Sequence, residues 1–175
     1  MLLYSCPDRC ERRESSRRSH KTTGSARIIE VEHSVVIDRP PGEVFAFLSD
    51  LENWSRWQPD LLESKQTSRG PMEVGTTFWQ TLDVGGQRFE LLCEVTGYEA
   101  HEELSFFYAR DGLSFWLGFY LGPVGAGTRV TGKGKGRMTG FFSLFEPVVE
   151  REIDEQIKRS LDDLKVLLEP STPNA

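Results

Sequence analysis

Between Glu63 and Arg137 apolar and polar residues alternate with a period of two, and glycine-bearing breaks fall about every ten residues. This pattern predicts an antiparallel meander. Two of the breaks, Gly85-Gly86 and Asp111-Gly112, have the composition of two-residue hairpin turns, where positive φ favours glycine. A fixed turn fixes the register, and the register sorts side chains between the two faces. Around Gly85-Gly86, Leu82 faces Phe89, Gln80 faces Leu91, Phe78 faces Cys93 and Thr76 faces Val95. That side is apolar apart from Gln80 and Thr76 and belongs inside. The other side pairs Asp83 with Arg88, Thr81 with Glu90 and Thr77 with Glu94, as a solvated face does. Around Asp111-Gly112 the inner set is Leu104, Phe106, Tyr108 and Arg110 against Leu113, Phe115, Leu117 and Phe119. The same register leaves Phe107 and Trp116 outside, beside Trp79 and Leu92. An apolar stripe facing outward is the mark of a contact with another protein, a homodimer among the readings.

Upstream, IIEVEHSVVID has strand composition and stops at Pro40-Pro41. GEVFAFLSDL then places Val44, Phe45, Phe47, Leu48 and Leu51 as in a short helix with proline near its start. NWSRWQPDLL, from Asn53 to Leu62, reads as a second short helical piece broken by Pro59. At the other end Phe141, Leu144, Phe145, Val148, Ile153, Ile157, Leu161, Leu164 and Leu168 recur at three- to five-residue steps. They draw one apolar stripe on a helix from about Thr139, a fair N-cap, to Glu169, bent or split by Pro147. Its length of roughly 40 Å is enough to cross a whole sheet. The class is α+β, with a long helix across one concave antiparallel sheet.

Composition narrows the function. The 175 residues, 38% hydrophobic and 27% charged, make one ordinary domain with its own core. Residues 1–26 carry six cations against three carboxylates, a net of +3; with −6 for the whole chain, the remainder holds −9. They read as a disordered basic extension ahead of a domain at 27–169, and 170–175 as a disordered tail. An acidic domain repels nucleic acid, so none is expected as a partner. Three cysteines form no disulfide framework and, with no long apolar leader or membrane span, fit the cytoplasm. Cys6, Cys10 and His20 lack a fourth ligand at metal spacing, so neither metal nor cofactor is expected.

The order of elements and the residues that punctuate it resemble the START-like SRPBCC superfamily. The resemblance rests on VVIDRPPGEVFAFLSDLENWSRWQP, with Ile37, Pro40-Pro41, Val44-Phe45, Asp50 and Trp57-x-Pro59, then on VGTTFWQTL, FELLCEVTGYE, ELSF, GTRVT and the terminal helix. It covers about residues 29–168. It implies a helix-grip fold: a curved seven-stranded antiparallel sheet around the C-terminal helix, two short helices after the first strand, and a ligand cavity between. The superfamily includes polyketide cyclases/dehydrases, lipid-transfer domains and birch-pollen-allergen-like proteins. It has no universal catalytic residue to carry over.

Within that frame the inner parity selects candidate ligand contacts. They are Phe78, Gln80, Leu91, Phe106 and Tyr108 on the early strands, Phe115, Leu117, Gly132 and Gly134 on the later ones, and Phe145 on the helix. VTGKGKGRMTG, which opens at Val130, puts Gly132, Gly134 and Gly136 inside and Lys133, Lys135 and Arg137 outside. Bare backbone at three alternate inner positions admits two explanations, a closely packed helix or room for a ligand. A phosphate loop is a third, against which the spacing fits neither glycine-rich phosphate motif. Gly134→Phe is expected to fold and to lose ligand. His33 and Tyr108 are the candidates for acid/base chemistry, Arg110 sits at the sheet's end, and Trp54 and Trp57 pack the short helices over its mouth. The readings are a carrier of a hydrophobic small molecule, lipid or aromatic metabolite, an enzyme of the polyketide cyclase/dehydrase type, and, third, an interaction module.

Overall fold

The computed structural model describes residues 28–84, 86–110, 112–139 and 146–169. Seven strands form one antiparallel sheet: β1 (Ile28–Ile37), β2 (Leu61–Gln66), β3 (Thr77–Val84), β4 (Gln87–Glu99), β5 (Glu103–Arg110), β6 (Leu113–Val124) and β7 (Gly127–Met138). The spatial order is β1-β7-β6-β5-β4-β3-β2, so the chain meanders from β2 to β7 and closes beside its own first strand. Helix α1 (Pro41–Ser49) and a 3-10 helix (Leu51–Arg56) join β1 to β2, and α2 (Glu146–Leu168) ends the fold. This is the helix-grip arrangement.

Both hairpin registers hold: Phe78 opposes Cys93, Gln80 opposes Leu91, Leu82 opposes Phe89, Tyr108 opposes Phe115 and Phe106 opposes Leu117. Gly86 and Gly112 take φ of 81° and 88°, the left-handed region that made them recognisable as turn residues. Gly85 and Asp111 lie outside the described residues. The β6–β7 turn brings Gly127 so near the Ile37 carbonyl that a Cβ would overlap it.

The short helices plug one half of the concave face. Trp54 is fully buried, its ring centroid 5.6 Å from Phe78, 5.2 Å from Phe106 and 6.3 Å from Phe119. Its indole N–H donates to the Leu48 carbonyl at 2.6 Å, tying the 3-10 helix to α1. Trp57 packs on Phe119 at 5.4 Å. Burying a ring of this size is worth about 4–6 kcal/mol. Asp50 accepts the Glu52 amide and so caps the 3-10 helix.

The structure corrects the boundary between the short helices and the sheet. The second helical piece ends at Arg56, and Leu61–Leu62 already belong to β2, where Leu61 is buried against β3. Pro59 separates helix from strand instead of interrupting a helix. Thr139 donates both its amide and its hydroxyl to the Gly112 carbonyl, and the described part of α2 runs from Glu146. The described helix is continuous from Glu146 to Leu168, and the chain just before it, over which a bend or split at Pro147 is expected, lies outside the described residues. Residues 140–145, with Phe141, Leu144 and Phe145, lie outside the described residues, as do 1–27 and 170–175 and the side chain of Val148. From Ile157 onward the stripe behaves as its period predicts: Ile157, Leu161 and Leu164 are buried, against the β1–β7 edge of the sheet.

Candidate functional site

The glycines of β7 lie on the inner face, beneath the protein's own side chains. A Cβ on Gly132 would stand 3.1 Å from Ile157 Cγ2 and 3.4 Å from Leu161 Cδ1 of α2. On Gly134 it would stand 2.8 Å from both Phe115 Cζ and Val31 Cγ2, and on Gly136 it would overlap the Phe115 ring. Close approach of helix and ring therefore accounts for the glycine series. No phosphate turn is formed. The segment is an extended strand, and two of its cations pair outward, Lys133 with Glu32 at 3.1 Å and Lys135 with Glu30 at 3.0 Å.

Farther along the sheet the inner face changes character. Ser64 on β2 opposes Gln80 on β3; Cys93 on β4 opposes Tyr108 on β5. The Cys93 thiol donates to Gln80 Oε1 at 3.6 Å, joining the two pairs into a diagonal of uncharged polar groups over four neighbouring strands. Apolar neighbours surround it: Phe78, Phe106 and Phe115 are buried, Leu91 and Leu117 half-buried. The Tyr108 ring leans on Phe115, centroids 5.8 Å apart. Ser64 Oγ is buried without a hydrogen-bond partner among the described residues. Burial pushes the Cys93 thiol up to about 12, and burial, with Cys93 adding to it, raises the Tyr108 hydroxyl well above its ordinary range. Both stay protonated at neutral pH, the Cys93 thiol donating to Gln80 and the Tyr108 hydroxyl keeping a proton it can donate.

The two candidates for acid/base chemistry do not meet. His33 has the inward parity expected of it, but its Nε2 lies 2.8 Å from Asp154 Oδ1 of α2, at the edge of the sheet. It shares a row with Gly132, Phe119 and Leu104, whereas the Tyr108 row reaches β1 at Ile29. Three strand spacings and four residues of rise put them about 20 Å apart. Arg110 is exposed and donates from Nη1 to the Glu90 carbonyl at 2.7 Å, the surface role its place at the turn implied. Two depressions of about 380 and 440 Å³ border Arg110, and neither includes Gln80, Cys93 or Tyr108. Among the described residues no cluster of His, Cys, Asp or Glu has the makings of a metal site.

Sequence reasoning misses four polar groups. Ser64 follows a register shift between Leu61 and Glu63, which defeats strict alternation. Cys93 stands in the inner set and passes there for one more apolar group, although the hairpin already fixes its register opposite Phe78. Trp57, expected as packing alone, buries its indole N–H with no acceptor among the described residues, as Gln58 does its Nε2. Phe145 cannot be placed, being outside the described residues. On the convex face Trp79 and Leu92 are 43% and 50% exposed, so described residues leave half of the stripe bare. Phe107 and Trp116 are half-buried there, and the Trp116 indole donates to Thr96 Oγ1.

The class defined by this sheet and the gripping helix is the helix-grip fold. Residues 29–169 match the family model described as "polyketide cyclase / dehydrase and lipid transport", and the chain belongs to that family. Solved structures of the same fold include a protein of Thermus thermophilus, with TM-score 0.68 and 22% identity over 81% of this chain and 99% of that one. A START superfamily protein of Mycobacterium smegmatis gives 0.68 and 15% over 82% and 99%. The aromatase/cyclase ZhuI of Streptomyces sp. R1128 gives 0.71 and 11% over 82% and 94%. At these identities the likeness is one of fold. No curated protein sequence matches the chain significantly.

Proposed function

We propose that this chain binds a hydrophobic small molecule, a lipid or an aromatic, polyketide-like metabolite, between its sheet and C-terminal helix. The observation that carries the reading is an apolar inner wall interrupted by a few polar groups, some without a partner, in a chain of this family. Such groups orient a ligand while the wall supplies its affinity. Native mass spectrometry of the protein purified from its own host tests the reading. The expected spectrum carries an additional mass that denaturation releases. A bare protein that also takes up no hydrophobic probe would sink it.

A second reading, an enzyme of the cyclase/dehydrase type, draws on the family description and on the fold shared with an aromatase/cyclase. There a shaped wall would fold a poly-ketone and one polar group would move a proton. Tyr108 is the candidate donor, since its hydroxyl stays protonated within an apolar wall. His33, held by Asp154 at the edge, would serve only a separate step. Turnover unchanged in both His33→Ala and Tyr108→Phe removes the enzyme and leaves the carrier.

A further inference from the structure

Every buried polar side chain among the described residues is uncharged: Gln58, Ser64, Thr76, Gln80, Ser105, Thr128 and Ser160. Ion pairs such as Lys133–Glu32, Lys158–Asp162 and Lys165–Glu169 stand at the surface. An ionised carboxylate or phosphate brought to the inner wall would lose its water and meet no buried counter-charge among the described residues. The cost is several kcal/mol per ion. A neutral ligand escapes it.

The unpaired atoms also have a direction. Trp57 Nε1 and Gln58 Nε2 can only donate, and the Ser64 and Ser49 hydroxyls can donate. In the diagonal, Gln80 Oε1 already accepts one bond from Cys93, while the two amide N–H donors of Gln80 have no acceptor among the described residues. No hydrogen bond engages the Tyr108 hydroxyl among the described residues, and it adds another donor. The interior has donors to spare and needs acceptors. A buried donor without a partner costs about 1–3 kcal/mol, which an acceptor on the ligand recovers.

Resting on the binding reading, we propose that Ser64, Gln80 and Tyr108 form a polar end that determines specificity. It selects uncharged ligands whose polar atoms are acceptors (ketone, ester or quinone-type carbonyl oxygens) and turns away ionised fatty acids and phosphate headgroups. Cys93 positions Gln80 by occupying its carbonyl oxygen, so that the amide N–H groups face the ligand. Because these groups stay neutral, binding of such a ligand is flat from about pH 6 to pH 9.

Three probes of nearly one shape test this by calorimetric titration of the full chain: 2-acetylnaphthalene, 2-isopropenylnaphthalene and 2-naphthoate. At about pH 8 the last is fully ionised, since carboxyl groups titrate near ~4. The ketone is expected to bind at least about 10-fold tighter than the carboxylate. Gln80→Leu and Tyr108→Phe should each weaken the ketone about 5- to 10-fold and leave the hydrocarbon unchanged. Ser64→Ala, which removes only an unpaired hydroxyl, should fold at least as stably as the parent and still weaken the ketone. Carboxylate bound as tightly as ketone, or a ketone-to-hydrocarbon ratio that none of the variants changes, overturns the proposal and leaves the binding reading standing. If none of the three probes binds the parent protein, this inference falls, and the binding reading falls with it only where the native mass spectrum also shows a bare protein.

Discussion

Phe115 shows how one residue decides what a glycine series means. Its ring lies over Gly134 and Gly136, so even a methyl group there is too large. Gly134→Phe, expected from the sequence to fold and to lose ligand, should instead disrupt the Phe115–Val31–Ile157 packing. Gly136→Ala should cost about 1–3 kcal/mol of stability by overpacking. Adding Phe115→Leu should restore part of it, as urea midpoints of the single and double variants would show. If Gly136→Ala proves neutral, the ring does not fill the trough. Cys93 carries a second prediction at this scale. Its thiol is raised from 9.0 to about 12, so the fold favours the protonated form. That contribution is complete below the unfolded value and is lost as pH rises toward the folded one. Stability should decline between pH 9 and pH 12, and less steeply in Cys93→Ala. Peptide mapping after alkylation at about pH 8 should find Cys93 unmodified in the folded protein.

At the scale of elements, α2 is held to β1 by its last turn. Glu169 accepts the Asp38 amide, Lys165 Nζ donates to the Val36 carbonyl at 2.6 Å and to Glu169 at 2.9 Å, and Arg39 Nε reaches the Leu168 carbonyl at 2.9 Å. The Lys165 hydrogen bond, then the Asp38 amide, hold the Glu169 carboxyl below its ordinary range. A lowered carboxylate stabilises above its unfolded pKa, and the effect fades as pH falls through the lowered one. Glu169→Gln should therefore speed hydrogen exchange at the Asp38 amide while global stability moves by less than about 1 kcal/mol. An unchanged exchange rate would mean the clasp is not what protects that amide. The hairpins are legible because glycine turns fix the register, which in turn sets the facing pairs of β3 with β4 and of β5 with β6. The 3-10 helix and the start of β2 are not. Leu61 and Leu62 suit helix and strand equally, and pairing with β3 decides between them.

For the whole molecule, the sheet is a partition between two chemistries. The concave side holds the aromatic plug and the polar diagonal; the convex side carries Trp79, Leu92, Phe107 and Trp116 among charged neighbours. Substituting Trp79 and Leu92 together by serine should leave binding at the inner wall unchanged, read by the same titration as the naphthalene probes. A change of more than about 3-fold would mean the two faces are coupled through the sheet, contrary to the independence expected of separated sites.

The sequence by itself determined the class of fold, the hairpin registers and which hairpin side chains share a face, because period-two patterning and turn chemistry are local rules; it also put Phe89 and Arg110 inside, and both are exposed. It placed Gln80, Tyr108 and the alternating glycines on the inner face for the same reason. Only the tertiary structure decided what each inner position meets. Phe115 and α2 occupy the glycine trough, His33 is bound to Asp154 at an edge, and a register shift turns Ser64 inward. These outcomes depend on contacts between residues as far apart as 121 positions along the chain, which no local pattern encodes.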